Sequence, residues 1–77
     1  MPHIIVKLYP GRPEETKRVL ADKINQAVID VLKIPGEVIS VAIEEVAKEA
    51  WNEQVNKVDI FPKQSTIYKH SGSSKLV

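Results

Sequence analysis

The residue with the greatest chemical potential in this sequence is Pro2, which directly follows Met1. Proline is a small second residue, of the kind after which an initiator methionine is commonly removed. Removal would leave a secondary amine on a rigid ring at the start of a strand. An ordinary α-amino group has a pKa of about 7.7–8.0. Apolar surroundings and a nearby cation both disfavour its charged form, leaving a neutral base poised near neutral pH. Arg12 is the second candidate, placed after Gly11 and just ahead of a helix start. Its guanidinium can meet a carboxylate with two parallel hydrogen bonds. Taken separately neither is specific, since Met-Pro openings and exposed turn arginines are both common.

The remaining polar residues are weaker candidates. His3 sits beside Pro2 and could tune the amine, although a half-exposed strand histidine is the commoner case. His70 lies in the C-terminal stretch. Glu44 and Glu45 follow an apolar run and read either as a carboxylate pair or as solvated strand-end charges. Lys7 alternates with apolar neighbours and reads as a surface residue. There is no cysteine, and the two histidines lack ligand-like spacing, so no metal site or cofactor is expected.

The elements that must position Pro2 and Arg12 follow from periodicity. Ile4, Val6 and Leu8 alternate with His3, Ile5, Lys7 and Tyr9, which predicts a strand over 3–9. Pro10-Gly11 breaks it. Pro13 suits the first turn of a helix, and Glu14 and Glu15 suit its positive end. Val19, Leu20, Ile24, Ala27, Val28, Val31 and Leu32 then recur at helical spacing until Pro35-Gly36 stops the run. A second strand is predicted over 38–46. Strand, long helix and strand make a β-α-β unit, whose strands are parallel. Ala47 to Val55 reads as a turn or short helix, Val58 to Phe61 as a short strand ended by Pro62, and 69–77 as a mobile tail.

Composition bounds the rest. Seventy-seven residues allow a single domain, 1–77, in which Met1 is expected to be removed. A chain this small buries only about 60–65% of its unfolded surface. With no disulfides available, oligomerisation is the leading source of extra stability. Two strands and one covering helix leave an apolar sheet face and an open edge, which a second copy would hide. The formal charge of +1 and the scattered aromatics offer no nucleic-acid footprint. No apolar run approaches the roughly 18 residues of a membrane span. The expected location is cytoplasmic, without a signal peptide.

Met-Pro-His-Ile-Ile-Val-Lys-Leu, then Gly11-Arg12, then a β-α-β unit reaching Glu44-Glu45-Val46-Ala47-Lys48-Glu49-Ala50-Trp51, resembles the 4-oxalocrotonate tautomerase family. The resemblance covers roughly residues 2–51. It implies an α/β fold whose parallel-stranded sheet is completed by dimerisation. It also implies an isomerase that interconverts enol and keto forms of a small 2-oxo acid. Pro2 matches the family's amino-terminal proline, the general base and acid. Arg12 matches the arginine that binds and polarises a substrate carboxylate. Trp51 matches an aromatic that lines the active site, excluding water and favouring the neutral amine.

Two departures refine these expectations. A second family arginine falls at Ser40, which can donate one hydrogen bond but no charge. A monocarboxylate such as an aryl enolpyruvate therefore fits better than a dicarboxylate. The stretch Asn52-Glu53-Gln54-Val55-Asn56 lacks the glycines of the hairpin that knits family dimers into hexamers, so a homodimer is favoured. Two other classes remain open. One is a hydratase, dehalogenase or decarboxylase using the same proline. The other is a non-enzymatic oligomer that binds a ligand.

Overall fold

The computed structural model describes residues 1–72, so the expected tail at 69–77 falls largely outside the described residues. The chain divides into two compact units, Met1–Glu45 and a second from Val46 onward.

The first unit is the expected β-α-β arrangement. Strand β1 (His3–Leu8), helix α1 (Glu14–Leu32) and strand β2 (Ser40–Glu45) follow in order. The two strands pair in parallel, with His3 opposite Ser40 and Leu8 opposite Glu45. β1 leaves the sheet through Gly11, whose φ of +124° is a conformation that residues with a Cβ rarely adopt. Pro13 then caps α1 in an extended conformation, with Glu14 and Glu15 in the first turn, where the helix dipole favours anions.

The helix ends three residues before Pro35 rather than at it. The residue preceding a proline is disfavoured in the α region, which takes Ile34 out of the helix. Lys33 makes the exit in the left-handed conformation (φ 59°), and its N–H closes on the Ile29 carbonyl at 2.9 Å. A 3-10 turn, Gly36–Val38, leads into β2. A Cβ on Gly36 would lie 3.2 Å from Ile29 Cδ1, so the turn runs tightly against the helix.

Lys17, Leu20, Ala21, Ile24, Asn25, Val28 and Ile29 are the half-buried positions of α1. Their spacing of one, three and four residues defines a single face. Ile43 of β2 lines one surface hollow with Glu14, Lys17, Arg18 and Ala21, so α1 lies on the Ile43 side of the sheet. Alternation and register then put Ile4, Val6, Leu8, Val41 and Ile43 toward the helix. His3, Ile5, Lys7, Ser40, Ala42 and Glu44 stand on the other face, where Ile5 is 50% exposed. The predicted apolar stripe is wider than this sheet covers. Leu20, Ile24 and Val28 are half-buried, whereas Val19, Val31 and Leu32 are exposed, Val31 at 76%. No residue of α1 is fully buried.

The second unit corrects one expectation. Val58 to Phe61 is not a strand. A 3-10 turn, Lys48–Ala50, passes through Trp51 into a π-helical span, Asn52–Ile60. The wide turn is visible where the Phe61 N–H donates to the Asn56 carbonyl, five residues back. Side chains four apart reinforce it: Lys57 Nζ meets Glu53 Oε1 at 2.6 Å, and Asn56 donates to Asn52 at 3.2 Å. Pro62 does not end a strand but sits in the first turn of a further 3-10 segment, Phe61–Thr66, kinked at Lys63. Proline is tolerated there because the first N–H groups of a helical turn have no partner to lose. Val46 and Val55 are the buried apolar side chains of the described residues.

Candidate active site

Pro2 is placed by the sheet. The parallel register starts with His3 opposite Ser40, and the Ser40 N–H donates to the Pro2 carbonyl at 3.1 Å. This bond fixes the backbone one residue ahead of β1. Met1 beyond it is 98% exposed and offers no steric obstacle to removal. While Met1 is attached, the Pro2 nitrogen is an amide without basicity; the amine exists only in the processed chain.

Ser40 is drawn to the same point. Its hydroxyl lies 2.6 Å from His3 Nδ1, on the sheet face turned away from α1. The sequence treats His3 as a weak candidate, and nothing local marks this contact. The signal is the register, because the first residues of two parallel strands become neighbours. Glu44 pairs with Lys7 farther along this face, and Glu45 lies at the end of β2. The two glutamates alternate across the sheet and do not form a carboxylate pair on one face.

Arg12 stands at the opposite end. β1 rises about 3.3 Å per residue, so Pro2 and Leu8 are about 20 Å apart. Lys17, in the first turns of α1, ties that end of the helix to the end of β2 through Glu45 Oε2 at 3.4 Å, and also meets Glu14 Oε1 at 3.1 Å. The hydrogen bond to Glu14 above all, with that to Glu45, raises the Lys17 ammonium above the usual lysine range, while burial acts against them. Arg12 is exposed and makes no ion pair or hydrogen bond among the described residues. Its guanidinium is exposed to solvent.

Trp51 belongs to the second unit, where it is half-buried at the junction of the 3-10 turn and the π-helical span. The structure thus joins Pro2, His3 and Ser40 at one point and separates Arg12 from them. Among the described residues no helix is long and apolar enough to cross a membrane.

The β-α-β unit has counterparts among known proteins. The family described as "Tautomerase enzyme" matches residues 2–59. A probable tautomerase of Xylella fastidiosa (strain 9a5c) is 38% identical over 76 residues, covering 99% of this chain and 93% of that protein. Tautomerase PptA of Cronobacter sakazakii is 33% identical over 73 residues, covering 94% and 96%. Among solved structures, one of the 4-oxalocrotonate tautomerase isozymes from Methylibium petroleiphilum superposes with a TM-score of 0.62 at 38% identity, covering 65% of this chain and 81% of that one. The chain belongs to the tautomerase family and has the 4-oxalocrotonate tautomerase fold. Tautomerases are isomerases of small molecules, and the chain is an enzyme of that class.

Proposed function

We propose that the processed chain is a keto–enol tautomerase of a small 2-oxo acid, a monocarboxylate such as an aryl enolpyruvate, with Pro2 as its proton carrier. The observation that carries this is the Ser40 N–H bond to the Pro2 carbonyl, which holds the terminal residue in place behind a fully exposed Met1. A neutral Pro2 amine takes the enol hydroxyl proton, and the resulting ammonium returns a proton to the carbon end of the conjugated system. The substrate carboxylate is held by the two parallel donors of Arg12.

In this reading Arg12 comes from another copy of the chain, which the length of β1 supports. A homodimer is the smallest assembly that supplies it. Support comes from the exposed Val19, Val31, Leu32 and Ile5 of a unit in which α1 buries no residue fully. Ser40, with no charge to offer, suits a monocarboxylate rather than a diacid. A cytoplasmic setting goes with this reading.

The test joins intact mass of the purified protein to an ultraviolet assay of phenylenolpyruvate ketonisation. A mass lacking Met1, with turnover that falls by about 10²–10⁴ in Pro2→Ala, is the expected outcome. A retained Met1 in an active enzyme, or turnover indifferent to Pro2, refutes the mechanism.

A further inference from the structure

We propose that His3 is a positioning residue of this site: its imidazole sets the direction of the Ser40 hydroxyl and so decides whether Ser40 offers a donor to an anionic substrate oxygen. The inference rests on placing the site at Pro2, as above. Its basis is the 2.6 Å contact between His3 Nδ1 and Ser40 Oγ beside the bond from the Ser40 N–H to Pro2. Both side chains are exposed, so the pair is open to a ligand.

A serine hydroxyl has one hydrogen to donate. When Nδ1 is unprotonated, that hydrogen points at the ring, and Ser40 turns only lone pairs outward. A carboxylate or enolate oxygen placed there is repelled. When the imidazole is charged, both ring nitrogens are donors. Nδ1–H then points into Oγ, the hydroxyl hydrogen is released toward the ligand, and a positive charge stands one hydrogen bond behind it. Donors backed by charge make the stronger bonds to anions. Imidazole is the side chain whose charge changes between about pH 5 and 8. With a charged ring, His3 and Ser40 together form a cationic donor, where serine alone would form a neutral one.

The other titratable groups on this sheet face are Lys7 and Glu44, register partners about 13 Å farther along. Helix α1 lies against the opposite face and brings none to it. The processed amino terminus is a further charged neighbour, so the role of His3 is read from variants rather than from the wild-type profile alone.

The experiment measures benzoate, an unreactive aromatic monocarboxylate, binding to the processed protein by calorimetry between pH 5.5 and 8. Wild type, His3→Asn and Ser40→Ala are compared. Asparagine keeps a hydrogen-bonding atom near the place of Nδ1 but carries no charge. Wild type is expected to gain roughly tenfold more affinity toward pH 5.5 than either variant. In phenylenolpyruvate ketonisation the same difference is expected in KM, with kcat little changed. Identical pH dependence in all three proteins overturns the proposal, as does wild type failing to bind benzoate anywhere in the range. Benzoate binding needs no turnover, so a protein that shows the pattern yet ketonises nothing keeps the role of His3 and refutes the tautomerase reading alone.

Discussion

The Ser40 N–H and the Pro2 carbonyl are joined at 3.1 Å across residues 38 positions apart, so the position of the amino terminus is set by the start of β2. The other end of β1, about 20 Å away, leads on to Arg12. One strand thus separates the proposed base from the proposed carboxylate holder, and predictions follow for how they cooperate.

Pro2→Ala and Arg12→Ala proteins are each expected to be nearly inactive in ketonisation. Mixed, unfolded together and refolded, they regain activity, because a mixed dimer holds one site with both residues intact. Random pairing puts half the molecules in mixed dimers with one good site of two, about a quarter of wild-type activity. Absence of any recovery in a refolded, dimeric mixture would place both residues in one chain and contradict the strand geometry.

Gly11→Ala forces a Cβ into a backbone with φ +124°, although no neighbouring atom crowds the position. The cost is conformational, about 1–2 kcal/mol of stability. Because Arg12 is the next residue, KM for an anionic substrate is expected to rise more than stability loss explains. Urea unfolding alongside Michaelis kinetics checks both.

Lys17 supplies a pH dependence with a definite sign. Its pKa in the folded chain is raised above the 10.5 of a free lysine, by Glu14 first and Glu45 next. The folded state therefore binds the proton more tightly, and the stabilisation is complete below the unfolded value. It is lost as pH rises through the folded value. Thermal unfolding of wild type and Lys17→Met should differ by a constant amount at neutral pH and converge above about 10.5. A gap that instead closes toward acid pH within the neutral range would show that the ion pairs are not its source.

Val55 and Val58 test the second unit. Val55 is 5% exposed and Val58 51%. Val55→Ala is expected to cost about 2 kcal/mol, by lost transfer energy and a residual cavity. Val58→Ala should cost about 0.5 kcal/mol or less, as surface substitutions do. Equal, large effects at both would show that Val58 is buried and contradict the exposure of this face of the span.

The first unit was legible because its signals agree. Alternation in Ile4, Val6 and Leu8, a 3.6-residue period from Leu20 to Val28, and breaks at Gly11 and Pro35 all point to one arrangement. The second unit was not. Val58 and Ile60 flank Asp59 with period two, and over three residues that pattern cannot separate a strand from a wide helical turn. Pro62 added to the error, since a proline that ends a strand can equally open a helical segment. At the proposed site, Pro2 and Arg12 were marked by residue type and order, and Ser40 by the resemblance. The bond between His3 and Ser40 could not, because it depends on where the turn after Lys33 delivers β2, and register is a property of the pair of strands.

The incomplete burial of α1 has a consequence for how such a protein is handled and regulated. A fold with little interior of its own lies near the balance between folded and unfolded forms, where small free energies move large populations. Whatever binds only the folded chain then becomes part of its stability, in proportion to the logarithm of its concentration. Substrate abundance and the chain's own expression level would set how much of it survives unfolding, so the supply of its substrate would govern the amount of enzyme as well as its rate.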